Sequence, residues 1–116
     1  MYDHIGLKVK DLDASVRFYK AALAPLGHEI DSSGTGFGPP GEPALWLYGG
    51  ARAKGSTHLA FRATDRKAVD RFHQAGLKAG GQDNGKPGLR TDYSPNYYAA
   101  FLLDPDGNNV EAVFMA

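Results

Sequence analysis

The sequence predicts an α+β domain made of two tandem modules, each a strand, a helix and then about three strands. Three observations predict this fold. The chain repeats itself at a spacing of 54 residues, each copy opens with alternating polar and apolar residues, and each then carries apolar residues at helical spacing. A match at a fixed period indicates a duplicated supersecondary unit. Module 1 covers about 1–50 and module 2 about 55–116, within a single domain of residues 1–116.

The repeat begins at a histidine in each copy. When the sequence is shifted by 54 residues, His4 falls on His58 and Asp11 on Asp65 without a gap. Five further identities follow in the same frame: Ala14 with Ala68, Arg17 with Arg71, Phe18 with Phe72, Ala21 with Ala75 and Leu23 with Leu77. Each module is therefore expected to begin with a histidine on a strand.

Module 1 shows the pattern most clearly. Residues 2–9 alternate with period two, which is typical of a half-buried strand. Asp11 is the predicted N-cap of a helix that Pro25 and Gly27 end. The three predicted strands that follow are His28–Ile30, Thr35–Phe37 and Pro43–Tyr48.

Module 2 repeats this order. A strand is predicted over Ser56–Ala63, followed by a helix capped by Asp65 and ended by Gly76 and Gly80–Gly81. The predicted later strands are Lys78–Asp83, Leu89–Tyr93, Tyr97–Leu103 and Asn108–Phe114. Asp104–Gly107 has the Asp-Pro-Asp-Gly composition of a tight turn, so the last two strands are expected to be antiparallel neighbours. Gly49–Gly55 is the predicted connection between the modules.

The composition excludes several classes of function. The formal net charge is zero and the charged residues are interspersed, so no basic surface for nucleic acid or an anionic membrane is predicted. The absence of cysteine excludes a disulfide framework, a thiolate nucleophile and a cysteine metal site. With no signal peptide and no apolar run of membrane-spanning length, a cytoplasmic protein is expected.

Two histidines and a glutamate form the predicted metal site. In each first strand the apolar residues are expected to face the helix, which leaves His4 and His58 on the opposite, concave face. If the modules pack with approximate two-fold symmetry, in one chain or across a dimer, these histidines meet. Glu111 lies on a strand with apolar neighbours, and a buried carboxylate needs a cation or donors. The set suits a divalent ion such as Fe, Mn or Zn.

The repeat also separates the other two histidines from the predicted metal ligands. His28 and His73 have no partner histidine in the other copy, so both are interpreted as structural or surface residues. Aligning the last strands of the modules places Trp46 where the second module has Glu111.

These residues resemble the vicinal oxygen chelate superfamily, which includes glyoxalase I, extradiol dioxygenases, fosfomycin-resistance thiol transferases and bleomycin-binding proteins. The resemblance is carried by three segments: Asp3–Leu7 with Phe18–Tyr19, Thr57–Phe61, and Asp104–Asn108 leading into Glu111. It implies paired βαβββ modules that form a cupped mixed sheet around a metal site. It also implies a divalent ion (Fe, Mn, Zn or Ni) on His4, His58 and Glu111, and a homodimer.

The resemblance does not select a reaction. Trp46 stands where glyoxalase I places a further carboxylate, and a C-terminal extension like that of the fosfomycin-type transferases is not expected after Glu111. Extradiol dioxygenases use an additional histidine and tyrosine near the metal; Tyr98 fits the tyrosine, but no histidine follows His73. A further bacterial group often has histidine before Pro-Asn-Tyr-Tyr, where this chain has Ser94.

The predicted function is that of a metal-dependent enzyme acting on a small oxygen-chelating molecule, of lyase, thiol transferase or dioxygenase type. Trp46 and Tyr48 are candidates for an aromatic wall of the pocket, with core packing as the alternative. Tyr98 is the candidate catalytic hydrogen-bond donor, with cross-strand packing as the alternative. Arg62 and Arg90 are candidates for binding an anionic substrate group, or are solvated.

Two other classes of function stay open. One is a bleomycin-resistance-like dimer that sequesters a small molecule without catalysis. The other is a regulatory or scaffold protein whose metal is structural. The metal positions are intact, which favours the enzyme.

Overall fold

A computed structural model describes residues 2–50 and 57–116 and shows the same order of elements in both modules. Module 1 contains β1 (Ile5–Val9), α1 (Leu12–Leu23), a 3-10 turn (Ala24–Leu26), β2 (Glu29–Ile30), β3 (Gly36–Gly38) and β4 (Leu45–Gly49). Module 2 contains β5 (His58–Arg62), α2 (Arg66–Lys78), β6 (Gln82–Leu89), β7 (Tyr97–Leu103) and β8 (Asn109–Met115). Of the predicted Gly49–Gly55 connection, only Gly49 and Gly50 belong to the described residues. Ser56, at the start of a predicted strand, also lies outside them.

Each module forms its own four-stranded mixed sheet, in the orders β1-β4-β3-β2 and β5-β8-β7-β6. The first and last strands of each module are parallel, and the other pairs are antiparallel. This confirms the predicted α+β class and its two βαβββ modules. Trp46 pairs with Gly6, and Glu111 pairs with Ala60, 54 residues after Gly6. The register therefore confirms the predicted equivalence of Trp46 and Glu111.

Both predicted helix caps are present. The side chain of Asp11 accepts a hydrogen bond from the Ala14 amide at 3.1 Å, and Asp65 accepts one from the Ala68 amide at 2.7 Å. Such bonds satisfy amides that the first turn of a helix leaves unpaired. The first helix ends as predicted, with Gly27 in the left-handed region at φ 87°.

The predicted end of the second helix was wrong at Gly76, because α2 continues to Lys78. Gly76 lies within α2 and allows close packing of the helix; it does not end the helix. A Cβ at this position would lie 2.3 Å from Leu102 Cδ1 and 3.4 Å from Ala22 Cβ. The missing side chain therefore lets α2 approach β7 and α1 closely.

One edge strand replaces the two predicted before β7. The segments Lys78–Asp83 and Leu89–Tyr93 were wrong as strands, because Lys78 belongs to α2 and the chain turns after Leu89. The observed β6 runs over Gln82–Leu89 and carries two register irregularities. A proline and glycines are tolerated there because β6 lies at the edge of its sheet.

The helices join the two modules within the chain. The two helices lie side by side and share a core with both sheets, in which Phe18, Tyr19, Leu23 and Phe72 are fully buried. The Tyr19 hydroxyl donates to Asp104 in the turn of module 2 at 2.7 Å. Within the described residues the two sheets share no strand pairing, so β1 and β5 are each left at a sheet edge. None of the described helices is both long and apolar enough to cross a membrane.

Candidate functional site

The site is built on the face of the second sheet that turns away from α2, called here the module 2 face. Ala60, Glu111, Phe101 and Gly85 form one register row across β5, β8, β7 and β6. Glu111 is only 2 % exposed although it is a carboxylate on a sheet face. Burial of a charged group at such a place requires hydrogen-bond donors or a cation.

Two side chains meet that requirement. The Tyr97 hydroxyl donates a hydrogen bond to Glu111 Oε2. On the other oxygen, His58 Nε2 lies 3.0 Å from Glu111 Oε1. Each oxygen of the carboxylate therefore has its own partner, and the His58 side chain is 49 % exposed whereas that of Glu111 is 3 % exposed.

The second ring nitrogen fixes the orientation of His58. Its Nδ1 donates to the carbonyl oxygen of Asn109 at 3.2 Å, because a carbonyl oxygen only accepts. The imidazole ring also lies nearly parallel to Phe101, with centroids 6.4 Å apart. Nε2 is therefore directed at the carboxylate. Nε2 is also the ring nitrogen that a metal ion at this carboxylate would bind.

Tyr97 stays a hydrogen-bond donor over the physiological pH range. Burial is the main reason that its pKa is raised to about 12, and the hydrogen bond to Glu111 and its negative charge add to the shift. The Tyr93 ring packs edge-on against Tyr97 with centroids 5.0 Å apart. The phenol is therefore held neutral and in place beside Glu111.

Tyr98, the predicted catalytic donor, lies on the opposite face of β7. Its hydroxyl donates to Asp70 of α2 at 2.6 Å, and the Arg66 guanidinium lies 4.9 Å from its ring. The tyrosine that lies beside Glu111 is thus Tyr97 and not the predicted donor Tyr98. The antiparallel pairing of Phe101 with Glu111 puts 97, 99 and 101 on one face, and this parity is the signal that identifies Tyr97.

The corresponding face of module 1 carries aromatic rings instead of a carboxylate. The Trp46 ring covers Gly36, where a Cβ would lie 2.6 Å from it, and the Tyr48 ring covers Gly6, where a Cβ would lie 2.8 Å away. Trp46 is half-buried and Tyr48 is 52 % exposed. Both rings are therefore accessible on this face, and their role in substrate binding stays a prediction.

His4 is separate from the other two predicted ligands. It precedes β1, is exposed, and its Nδ1 lies 2.8 Å from Asp3. Across residues 2–50 and 57–116, no three His, Cys, Asp or Glu side chains are close enough together to hold a metal ion. One chain thus brings together His58 and Glu111 without His4.

The two predicted arginines differ in their surroundings. Arg62 is exposed at the end of β5 and shares a cavity of about 470 Å³ with Val113 and Met115. Arg90 is half-buried, and its guanidinium lies 5.4 Å from the Phe101 ring centroid, on the module 2 face.

The remaining histidines have the structural roles that the sequence indicated. His73 is 7 % exposed, and its Nε2 lies 2.8 Å from Asp83 Oδ1, which ties α2 to β6. His28 packs edge-on against Phe61 with centroids 5.6 Å apart, and burial lowers its pKa.

Comparison with known proteins agrees with this architecture. Residues 2–112 match the family model of the Glyoxalase/Bleomycin resistance protein/Dioxygenase superfamily. No curated protein matches the chain. A glyoxalase/bleomycin resistance protein from Albidiferax ferrireducens has a similar crystal structure, with 29 % identity, a TM-score of 0.84, and coverage of 100 % of this chain and 99 % of that one.

Two more distant structures share the fold. One is a glyoxalase/bleomycin resistance protein/dioxygenase family enzyme from Burkholderia phytofirmans, with 17 % identity, a TM-score of 0.75 and coverage of 98 % of both chains. The other is a lactoylglutathione lyase from Agrobacterium tumefaciens, with 22 % identity, a TM-score of 0.65, and coverage of 96 % of this chain and 90 % of that one.

Proposed function

Since the chain belongs to the Glyoxalase/Bleomycin resistance protein/Dioxygenase superfamily, we propose that it is a metal-dependent enzyme acting on a small oxygen-chelating substrate. Enzymes occur in this superfamily, and its members generally use divalent metals. The observation that carries the proposal is the buried Glu111 carboxylate with His58 Nε2 only 3.0 Å from Oε1. A lyase, a thiol transferase and a dioxygenase are all compatible with this donor pair.

The donor set fits a divalent ion when two copies of the chain are combined. Imidazole and carboxylate are ligands of Fe, Mn, Zn and Ni, and His58 and Glu111 supply one of each. His4 of a second copy is the proposed third ligand. The edge strands support this arrangement, since β1 and β5 both end their sheets and each begins beside one of the histidines. An unpaired strand edge is a template for pairing with another chain.

The proposed assembly is a two-fold symmetric homodimer with two equivalent sites. In a dimer of this symmetry the same pair of surfaces meets twice, so each module 2 face would meet the module 1 face of the other copy. Ile5, which is 41 % exposed on β1, would be covered. Each site would then combine His58 and Glu111 of one chain with His4, Trp46 and Tyr48 of the other.

The chemistry follows from the groups at the site. A bound metal ion would act as a Lewis acid toward two adjacent substrate oxygens. Tyr97 holds one oxygen of Glu111, and the Asn109 carbonyl holds the His58 ring, so the two donors are oriented before a ligand arrives. Trp46 and Tyr48 would cover the substrate and exclude water from it.

The aromatic surface also favours one competing function. The Trp46 and Tyr48 rings cover glycines and offer an aromatic surface for a planar ligand, as a sequestering dimer without catalysis would need. Removal of the metal with a chelator separates the two functions. An enzyme of the proposed type loses substrate binding with its metal, whereas a sequestering protein retains its ligand.

Glu111→Gln tests the metal site directly. The substitution keeps the shape of the side chain and removes its charge, so we expect the bound metal measured by elemental analysis to fall while the circular dichroism spectrum is unchanged. Glu29→Gln is the matched control, because Glu29 is an exposed strand carboxylate in module 1. Unchanged metal content in Glu111→Gln would refute the assignment.

Mixing two inactive variants tests the shared site. His4→Ala and Glu111→Gln each damage every site of their own homodimer. After unfolding and refolding together, half of the dimers are mixed and each has one intact site, so about a quarter of the wild-type metal binding should return. If the sites lie within single chains, mixing restores none.

A further inference from the structure

We propose that Arg90 forms a subsite for a carboxylate group of the substrate, beside the chelating centre of His58 and Glu111. This inference rests on the proposed function and names the class of substrate: oxygen-chelating molecules that carry a second, anionic group. Three observations support it. The Arg90 side chain runs along the module 2 face, its guanidinium is held by a hydrogen bond, and it forms no ion pair with a carboxylate among the described residues.

The backbone places Arg90 opposite Tyr97. The Arg90 amide donates to the Tyr97 carbonyl at 2.7 Å, one step beyond the Leu89–Tyr98 pair of β6 and β7. Because neighbouring residues of a strand alternate between faces, Arg90 shares the face of Tyr97, and the Leu89–Tyr98 pair belongs to the other side. The arginine therefore starts on the module 2 face.

Two glycines let the side chain run back along β6. A Cβ at Gly88 would lie 3.2 Å from Arg90 Nη1, and one at Gly85 would lie 3.2 Å from Nη2 and 2.8 Å from Phe101 Cδ1. Gly85 also has φ 151°, a conformation that other residues rarely adopt. A β-bulge of this kind redirects side chains. Here it brings the guanidinium over Phe101, which is paired in register with Glu111.

The guanidinium is held in place before any ligand binds. Its Nη2 donates to the Lys86 carbonyl at 2.6 Å, and its Cζ lies over the Phe101 ring, 5.4 Å from the centroid. Among residues 2–50 and 57–116, Arg90 forms no ion pair with a carboxylate. The N–H groups that Lys86 leaves unused form a planar fork that matches a carboxylate.

The position of the Arg90 guanidinium relative to Glu111 defines the class of substrate that would bind. The His58 ring lies beside the Phe101 ring, with centroids 6.4 Å apart, and the Arg90 guanidinium lies 5.4 Å from the centroid of the same ring. A substrate that chelates a metal at His58 and Glu111 would thus extend across Phe101 toward a positive charge. A single arginine balances a monoanionic carboxylate, whereas a dianionic phosphate usually recruits several donors.

Malate and lactate are matched probes for this subsite. Both contain a hydroxyl group beside a carboxylate, which can chelate a metal, and malate adds a second carboxylate. We expect wild-type protein supplied with Zn²⁺ to bind malate about five- to tenfold more tightly than lactate in isothermal titration calorimetry. Arg90→Gln should abolish this preference, and Arg90→Lys should retain part of it.

Arg66→Gln is the matched control variant. Arg66 also lies over an aromatic ring of β7, that of Tyr98, but on the opposite face. It should leave the preference for malate unchanged. Equal affinities in the wild type, or a preference for malate that survives in Arg90→Gln, would overturn the subsite.

Metal content measured on the same samples separates the two proposals. Bound metal without a preference for malate counts against the subsite alone. A preference for malate that depends on Arg90 in protein that takes up no metal counts against the metal-dependent function alone. If neither is found, both proposals are refuted.

Discussion

Tyr97→Phe removes one hydroxyl group and leaves the rest of the candidate site in place. In the structure this hydroxyl is the donor to Glu111 Oε2, while Oε1 faces His58. With the bond present, Oε2 is engaged by Tyr97 and Oε1 is the oxygen beside His58, so the bond restrains rotation of the carboxylate. Loss of such a supporting hydrogen bond typically weakens metal binding by about 10- to 100-fold. We expect a loss of that size for Zn²⁺ in Tyr97→Phe.

The neighbouring tyrosine provides the control. Tyr98→Phe also removes one hydroxyl from β7, but that hydroxyl donates to Asp70 on the helix side. Its metal affinity should equal that of the wild type. The affinities are measured by competition with a chromogenic chelator, and thermal unfolding of the metal-free proteins shows whether both variants are folded. Equal affinities of Tyr97→Phe and Tyr98→Phe would refute the reasoning.

Three further predictions follow from single contacts. Trp46→Glu should tighten Zn²⁺ or Ni²⁺ binding, because Trp46 is equivalent in register to Glu111; calorimetry that shows no gain would mean that the two faces do not meet. Burial lowers the pKa of His28, so below pH ~6.5 the unfolded chain binds more protons than the folded one, and the stability should decrease as the pH is lowered. His28→Leu should reduce this decrease, measured by thermal unfolding between pH 7 and 5. Tyr19→Phe removes a buried donor to Asp104 and should cost about 1–3 kcal/mol in urea unfolding, whereas a loss below about 0.5 kcal/mol would contradict that role.

The architecture was predictable because the pattern of each module occurs twice in the sequence. The shift that aligns His4 with His58 also aligns the caps Asp11 and Asp65, and both caps hold their helices in the structure. Strand register then extends the repeat to positions without identity, such as Trp46 and Glu111. A local rule applied in two independent copies is thus more reliable than the same rule applied once.

The errors have different physical causes. β6 has no alternation of polar and apolar residues, because an edge strand with bulges is not constrained to bury one face. Tyr97 was missed because the face on which it lies depends on the parity of a single strand, and a shift of one residue moves every side chain to the other face. Whether His4 meets His58, in one chain or across a dimer, stays a prediction, because the pattern within one module does not encode how modules associate.

The differences between the modules explain why the proposed site needs both. At the equivalent last-strand position, module 2 keeps a carboxylate beside Ala60 and module 1 has an indole beside Gly6. On the proposed function, module 2 holds the metal and the anionic end of the substrate, and module 1 supplies one histidine and the aromatic cover. The module 2 face provides His58 and Glu111, and the module 1 face provides the aromatic rings of Trp46 and Tyr48. Within the described residues the two sheets of one chain share no strand pairing, so on the proposed function a second copy brings these complementary faces together.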